Sequence, residues 1–373
     1  MENMGRECLM FSDVYKGKRV LVTGHTGFKG SWLCTWLLDL GAEVAGYSLD
    51  IPTTPSNFEV SNLISRITHF DGDVRDRENL NRVFESFQPE IVFHLAAQAI
   101  VRRSYEEPVF TFETNALGTM NVLECIRRQR SVQAAVIITS DKCYQNIGWL
   151  WGYRENDRLG GEEPYSASKA CAEIISSAFM HSYFQNGKPA IATTRAGNAI
   201  GGGDWAPDRI VPDCVRAWSM NRPVKIRNSN ATRPWQHVLE PLSGYLWLGA
   251  NLWKAEASLQ NESFNFGPLA TIVRSVADLV NEMTKYWKGA GWETENEICL
   301  EKPEPTSLKL NCDKALQQLN WRAVLSFEKT VRFTCEWYRV HYKENPGSMF
   351  EFTMGQIHDY ASIAAKEGLL WTS

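Results

Sequence analysis

Two short clusters in the sequence hold residue types that can move protons. One is Tyr165-Ser166-Ala167-Ser168-Lys169, and the other is Ser140-Asp141-Lys142-Cys143-Tyr144. Tyr165 and Lys169 are four residues apart, so a helix puts them on one face. An ammonium beside a phenol favours the phenolate, which can take a proton from a hydroxyl. Asp141 and Lys142 set a carboxyl and an amine side by side, with the Ser140 hydroxyl next to them. Such a set suits a reaction that deprotonates one position and protonates a leaving group at another. The bland alternatives are a solvated helix face for Tyr165 and Lys169, and a structural ion pair for Asp141 and Lys142. The elements around them distinguish these readings.

Those elements alternate. Residues 18–23 read as a buried strand, followed at once by Gly24-His25-Thr26-Gly27-Phe28-Lys29-Gly30 and an apolar helix over 31–40. Further strands are expected at 43–47, 67–70, 91–95 and 134–139, with helices at 79–87 and 114–128 between them. Alternation of this kind predicts an α/β fold: a doubly wound parallel sheet of Rossmann type, with a smaller C-terminal α/β part. The expected division is 1–199 for the first domain, with 236–260 returning to it. Residues 200–235 and 261–373 are assigned to the smaller domain. Helices are expected at 275–287 and 327–342, and the tail beyond about 345 is weakly patterned.

A glycine-rich turn between a strand and a helix is a dinucleotide site. Gly24 permits the tight turn, Gly27 lets backbone approach a diphosphate, and Gly30 lets the helix pack closely. Thr26 and Phe28 complete the turn. Asp50, near the end of the second strand, can accept from ribose hydroxyls and would repel a 2′-phosphate, so NAD is expected rather than NADP. Asp73 and Val74 follow the third strand and suit the adenine edge. Leu95, Ala96 and Ala97 let backbone pass close to the dinucleotide. With a nicotinamide in place, Tyr165 can deprotonate a sugar hydroxyl as hydride leaves the same carbon, and Lys169 can bond the nicotinamide ribose.

Glycine turn, buried strand ending at Ser140, and Tyr165-x-x-x-Lys169 together resemble the extended short-chain dehydrogenases. Longer strings narrow this. Thr139-Ser140-Asp141-Lys142-Cys143-Tyr144, Trp151 to Asn156, Arg195-Ala196-Gly197-Asn198, Gly201 to Trp205 and Arg233 to Pro241 resemble the sugar-nucleotide 4,6-dehydratases over residues 16–343. An Asp-Lys pair where most members carry Asp-Glu is characteristic of the CDP-glucose branch. The resemblance implies oxidation at carbon 4, loss of water across carbons 5 and 6, and return of hydride to carbon 6, for deoxysugar biosynthesis. It implies Asp141 as acid and Lys142 as base. For substrate it suggests Arg233 on the diphosphate, with Arg195, Asn198, Arg209 and Lys309 as weaker candidates, and Gln98 and Ser104 at the hexose. Trp149, Trp151 and Tyr153 either line the sugar pocket or pack in a loop. Ala99, Pro303, Glu304-Pro305 and Asn311 depart from the pattern, mostly on the substrate side. A 4-epimerase, a dehydratase of another nucleotide sugar and a non-catalytic NAD sensor remain alternatives.

Composition limits the remaining classes. The chain has 373 residues, 44% hydrophobic and 22% charged, which fits a globular protein with a sizeable core. A net charge of −4 gives no reason to expect nucleic acid as a partner. No apolar run reaches the roughly 18 residues of a membrane span. Nine scattered cysteines without a Cys-x-x-Cys pair, and no signal-type core near Arg6 and Glu7, point to the cytoplasm. No spacing of the seven histidines suggests a metal. The resemblance implies a homodimer or homotetramer built on the helices carrying Tyr165 and Asn115.

Overall fold

The computed structural model describes residues 10–185, 189–268, 273–294, 308–344 and 347–373. Seven strands form the main sheet: β1 (Arg19–Thr23), β2 (Glu43–Ser48), β3 (Thr68–Asp71), β4 (Ile91–His94), β5 (Ala134–Ile138), β6 (Ala190–Ala196) and β7 (Ser263–Phe266). All neighbours are parallel, in the order β7-β6-β5-β4-β1-β2-β3. Every residue of β5 and β6 is buried; β5 reads as a continuous apolar run, whereas β6, which carries Thr193, Thr194 and Arg195, was not expected from the sequence. Strand order reverses between β1 and β4, and the crevice beyond the carboxyl ends there is where an open sheet of this kind binds ligands.

The helices used below are α1 (Phe28–Asp39), α2 (Arg77–Phe87), α3 (Gly118–Arg128), α4 (Pro164–Tyr183), α5 (Ile210–Ser219), α6 (Leu239–Trp253), α7 (Val276–Thr284), α8 (Phe327–Arg339) and α9 (Phe350–Lys366). They cover both faces of the sheet. Leu21 of β1 packs with Val83 and Phe84 of α2, Leu123 of α3 and Met180 of α4. Its neighbours Val20 and Val22 point the other way, into a core with Trp32 and Trp36 of α1, Leu246 of α6 and Tyr360 of α9. Alternate strand residues therefore feed two cores.

Two assignments made from the sequence change. Residues 263–266 do not belong with the smaller part, because β7 pairs with β6 as the seventh strand of the main sheet. The weakly patterned tail forms the 17-residue helix α9, which packs on α1 and buries Tyr360 and Trp371. Among the described residues outside the main sheet are α5, α7, α8 and three short pairings: Ala199–Ile200 with Gln236–His237, Val224–Ile226 with Trp292–Thr294, and Thr232–Arg233 with Arg274–Ser275.

Candidate active site

The turn after β1 is held by backbone geometry. Gly24 has φ +75°, and a Cβ there would lie 2.7 Å from the Ala96 nitrogen. A Cβ on Gly30 would lie 2.2 Å from the Gly24 oxygen. Only glycine lets the first turn of α1, the β1 end and the Leu95-Ala96 backbone come this close. Gly27 caps α1 without a side chain, so the amides of its first turn stay open to an anion. Thr26 is buried, and its Oγ1 donates to the Asp50 carbonyl at 2.6 Å, which ties the second strand's end to the turn. The Asp50 side chain remains exposed. Asp73 accepts from the Arg75 backbone at 2.9 Å and from its guanidinium at 2.9 and 2.6 Å, beside buried Val74. Open amides at a helix start, a close-packed glycine turn and an exposed carboxylate at the β2 end together fit the NAD expected from the sequence.

On the other side of the crevice, α4 begins at a cap made by Glu163. Its Oε2 accepts from the Tyr165 amide at 2.7 Å and its Oε1 from the Ser166 amide at 2.9 Å. Asn115, in the π-helical turn Glu113–Leu117, donates to the Ser168 hydroxyl at 2.8 Å and the Gln98 carbonyl at 3.0 Å. These bonds fix the α4 face that carries Tyr165 and Lys169, both buried. Sequence reading did not find Glu163 or Asn115 as supports. The π turn breaks the helical spacing that would have exposed the second.

The Ser140 hydroxyl, just beyond the end of β5, favours the ionised form of the Tyr165 phenol. It also donates to Asp141 Oδ1 at 3.0 Å and accepts from the Lys142 amide at 3.2 Å. Burial pushes the Tyr165 phenol up to about 12, while Ser140 and Arg209 pull it down. The sequence suggested a phenol lowered by its neighbours; the protein alone does not achieve this, because the ring is enclosed. Lys169 is brought down to about 8, chiefly by burial and then by Lys29. Asp141 is pushed above the usual carboxylate range by burial, against Lys142, Ser140 and Lys29. Lys142 is half-buried. A small cavity lined by Asp141, Gly197, Pro234, Lys309 and Leu310 opens beside this cluster.

The substrate candidates separate into two groups. Lys309 lines the cavity with Asp141, and Arg233 adjoins its Pro234 wall. Asn198 is exposed one residue beyond Gly197. Arg195, by contrast, does not reach the cavity. Its guanidinium pairs with Glu173 at 2.7 Å and donates to the Tyr144 hydroxyl at 2.7 Å and the Glu155 carbonyl at 2.9 Å, all inside the fold. Gln98 is similarly committed to Thr111 at 3.0 Å and the Ile100 backbone at 3.1 and 2.6 Å. Ser104 donates to the Val101 carbonyl at 2.7 Å and accepts from the Tyr165 amide at 3.2 Å, so it serves α4. Arg209 pairs with Asp204 at 2.7 Å. Tyr153 stacks on Tyr144 with centroids 5.3 Å apart and packs against Trp149, while Trp151 is exposed. Of the departures from the family pattern, Pro303, Glu304 and Pro305 lie outside the described residues.

Comparison with known proteins fits this site. The sequence profile of the family described as GDP-mannose 4,6 dehydratase matches residues 21–334. A CDP-glucose 4,6-dehydratase of Salmonella typhimurium is 45% identical over 359 residues, covering 94% of this chain and 98% of the relative. The structure of a UDP-glucose 4-epimerase from Thermus thermophilus in complex with NAD superposes with a TM-score of 0.72 at 26% identity, covering 86% of this chain and 99% of that one. A dTDP-glucose 4,6-dehydratase from Bacillus anthracis gives 0.70 at 20% identity, with 87% and 97% covered, and supports the fold. The chain belongs to the GDP-mannose 4,6 dehydratase family of sugar-nucleotide enzymes.

Proposed function

We propose that this chain is an NAD-dependent lyase that converts CDP-D-glucose to CDP-4-keto-6-deoxy-D-glucose. The observation that carries the reading is the Ser140-Asp141-Lys142 turn beyond β5, with its serine bonded to the Asp141 carboxyl and that carboxyl lining the cavity. The close identity to a CDP-glucose 4,6-dehydratase selects the nucleotide.

NAD, when bound at the glycine turn after β1, would supply the redox chemistry, accepting hydride from carbon 4 and returning it to carbon 6. Tyr165 removes the proton of the 4-hydroxyl, with the Ser140 hydroxyl favouring its phenolate and the Lys169 ammonium on the same helix face. The ketone formed acidifies the hydrogen on carbon 5. Lys142 takes that proton in its neutral form, and Asp141 protonates the 6-hydroxyl as it leaves as water. Burial suits Asp141 to the second task, since it favours the protonated carboxyl. The proton on Lys142 returns to carbon 5 as hydride reaches carbon 6. Proton gained by Tyr165 and proton lost by Asp141 balance through solvent.

We place Asp50 on the adenosine ribose, and Arg233 and Lys309 on the substrate diphosphate. A second copy of the chain is proposed to cover exposed Leu117, Met120 and Ile174 on the α3 and α4 face. The dispersed cysteines support a cytoplasmic enzyme.

The deciding experiment offers CDP-, dTDP-, UDP- and GDP-glucose separately and follows products by mass spectrometry. Loss of one water from CDP-glucose, with the others slower, is expected. Preference for another nucleotide would overturn the substrate assignment, and an unchanged mass with altered sugar stereochemistry would indicate epimerisation. Lys142→Met then tests the base: reduced nicotinamide should accumulate while exchange of the carbon-5 hydrogen with deuterated water stops.

A further inference from the structure

His94 ends β4 with its side chain enclosed, and both ring nitrogens are hydrogen-bonded. Nδ1 lies 2.7 Å from the Thr23 hydroxyl at the end of β1, and Nε2 lies 3.0 Å from the Thr119 hydroxyl in α3. The neighbours fix which nitrogen carries the hydrogen. Thr119 donates its own hydrogen to the Asn115 carbonyl at 2.7 Å, so its oxygen is left to accept from His94 Nε2. In a neutral ring Nδ1 is then the acceptor, and Thr23 donates to it. The Thr23 oxygen in turn accepts from the Ala96 amide at 3.3 Å. Burial, and after it Lys169, keeps the ring uncharged by lowering it to about 3.

One directed chain therefore runs from Ala96 through Thr23, His94 and Thr119 to Asn115, past the carboxyl ends of β1 and β4 where the crevice lies. Its first end is backbone of the cofactor turn: a Cβ on Gly24 would lie 2.7 Å from the Ala96 nitrogen. Its last end is the support of the catalytic helix. Asn115 donates to the Ser168 hydroxyl at 2.8 Å, and Ser168 donates to the Tyr165 carbonyl at 2.7 Å. From this chain we infer that His94 is a positioning residue for hydride transfer: as a neutral Nε2–H imidazole it ties the backbone beside the cofactor to the helix that carries Tyr165. The role in hydride transfer rests on Tyr165 as the proton acceptor proposed above; the tie itself does not. Hydride and proton leave one carbon, yet nicotinamide and phenol are held by separate elements. A misplacement of about 1 Å between such groups can cost about a hundredfold in rate. An apolar side chain would fill the space between Thr23 and Thr119. A ring bonded in both directions also fixes the distance between them.

Two readouts need no substrate. Nitrogen-15 NMR of histidine-labelled protein, with His94→Gln identifying the signal, should show Nε2–H and a bare Nδ1 at neutral pH. NADH affinity, followed by fluorescence, reads the cofactor side. Thr119→Val keeps the side-chain shape and removes the acceptor of the Nε2 hydrogen. It should weaken NADH about tenfold, or about 1.4 kcal/mol. His94→Leu should weaken it equally and the double variant no further, because one chain is broken once. His94→Gln offers an acceptor and a donor and should stay within about threefold of the parent. If His94→Leu does not fold, Thr119→Val and the nitrogen spectrum decide. With CDP-glucose as substrate and NAD saturating, kcat should fall in the same order while KM for CDP-glucose holds. A ring protonated on Nδ1 would overturn the inference, as would unchanged NADH affinity in Thr119→Val. Losses that multiply in the double variant would also overturn it, since the two residues would then be independent packing contacts. The expected NADH pattern in a protein inactive on CDP-glucose would uphold the tie and reject the substrate reading alone.

Discussion

Two charged regions lie a few residues apart in this molecule and are built on opposite plans. Around Glu173 and Arg195, each charge has an opposite charge or a donor within hydrogen-bonding distance. Thr193 donates to Glu173 Oε2 at 2.9 Å and Thr139 donates to Oε1, while Arg195 adds the 2.7 Å pair. Burial would raise the Glu173 carboxyl, but Arg195 and these donors hold it below the ordinary value. Around Asp141, a serine hydroxyl is the side-chain donor to a carboxyl that burial raises against Lys142, Ser140 and Lys29, and Lys309 lines the same cavity. The first region is closed: its charges are cancelled and it joins α4, β6 and the Tyr144 segment. The second is open, with charge arranged around a cavity. The contrast teaches that a buried charge is evidence for chemistry only when its compensation is incomplete.

Breaking the closed region should cost the most. Glu173→Ala leaves the Arg195 guanidinium enclosed without its carboxylate, and stability should drop by about 3–5 kcal/mol. Urea unfolding measures this. A loss below about 1 kcal/mol would show that water or a shifted side chain replaces Glu173, and the region would then not be closed.

The open region should respond in activity rather than in stability. Tyr165→Phe keeps the ring and removes the proton acceptor, so turnover should fall at least about a hundredfold, or about 2.7 kcal/mol of barrier. The unfolding free energy should change by less than about 1 kcal/mol. Near-normal turnover on CDP-glucose would remove Tyr165 from the first proton transfer.

The same contrast explains what was legible in the sequence. The glycine turn was readable because its demands are on backbone: the positive φ at Gly24 and the contacts at Gly30 leave no alternative residue. Five of the seven parallel strands were readable as short runs; β6, with Thr193, Thr194 and Arg195 in seven residues, and β7, with polar Ser263 and Asn265 in four, were not. Arg195 was misjudged because a sequence does not reveal whether a cation is already paired. Its partner lies 22 residues away on another element. Gln98 and Ser104 are likewise bonded inside the fold, Gln98 to Thr111 and the Ile100 backbone and Ser104 to the Val101 carbonyl and the Tyr165 amide. Helix α9 escaped because Thr353 and Gln356 interrupt its buried stripe of Phe350, Ile357 and Tyr360.

A third carboxylate sharpens the comparison. Glu240, at the start of α6, is as well bonded as Glu173. It accepts from Val324 and Leu325 amides at 2.9 and 2.7 Å and from the Tyr360 hydroxyl at 2.7 Å. No cation pairs with it among the described residues, and burial raises it from 4.5 to about 7. The folded state therefore holds this proton more tightly than the unfolded chain. Stability should be greatest below about pH 4.5 for this group and decline as pH rises towards 7, by up to about 3 kcal/mol. Glu240→Gln cannot ionise and keeps one oxygen to accept from the Val324 and Leu325 amides. The difference in unfolding free energy between the two proteins should therefore grow between pH 5 and 7, and a constant difference would show that Glu240 ionises freely in the fold.

The smallest effect should separate the two arginines first considered for the diphosphate. Arg233 is partly exposed on the Thr232–Arg233 strand and adjoins the Pro234 wall of the cavity that holds Asp141 and Lys309. Arg195 is closed inside the fold. A guanidinium that grips diphosphate oxygens contributes to binding with little effect on folding. Arg233→Ala should thus weaken binding of both CDP-glucose and free CDP about tenfold, or about 1.4 kcal/mol, measured calorimetrically. Its unfolding free energy should change by less than about 0.5 kcal/mol. Loss of affinity for both ligands places Arg233 on the part they share, whereas loss for CDP-glucose alone would move it to the hexose. If both affinities are retained, the diphosphate is held by other cations, with Lys309 on the same cavity the first to examine.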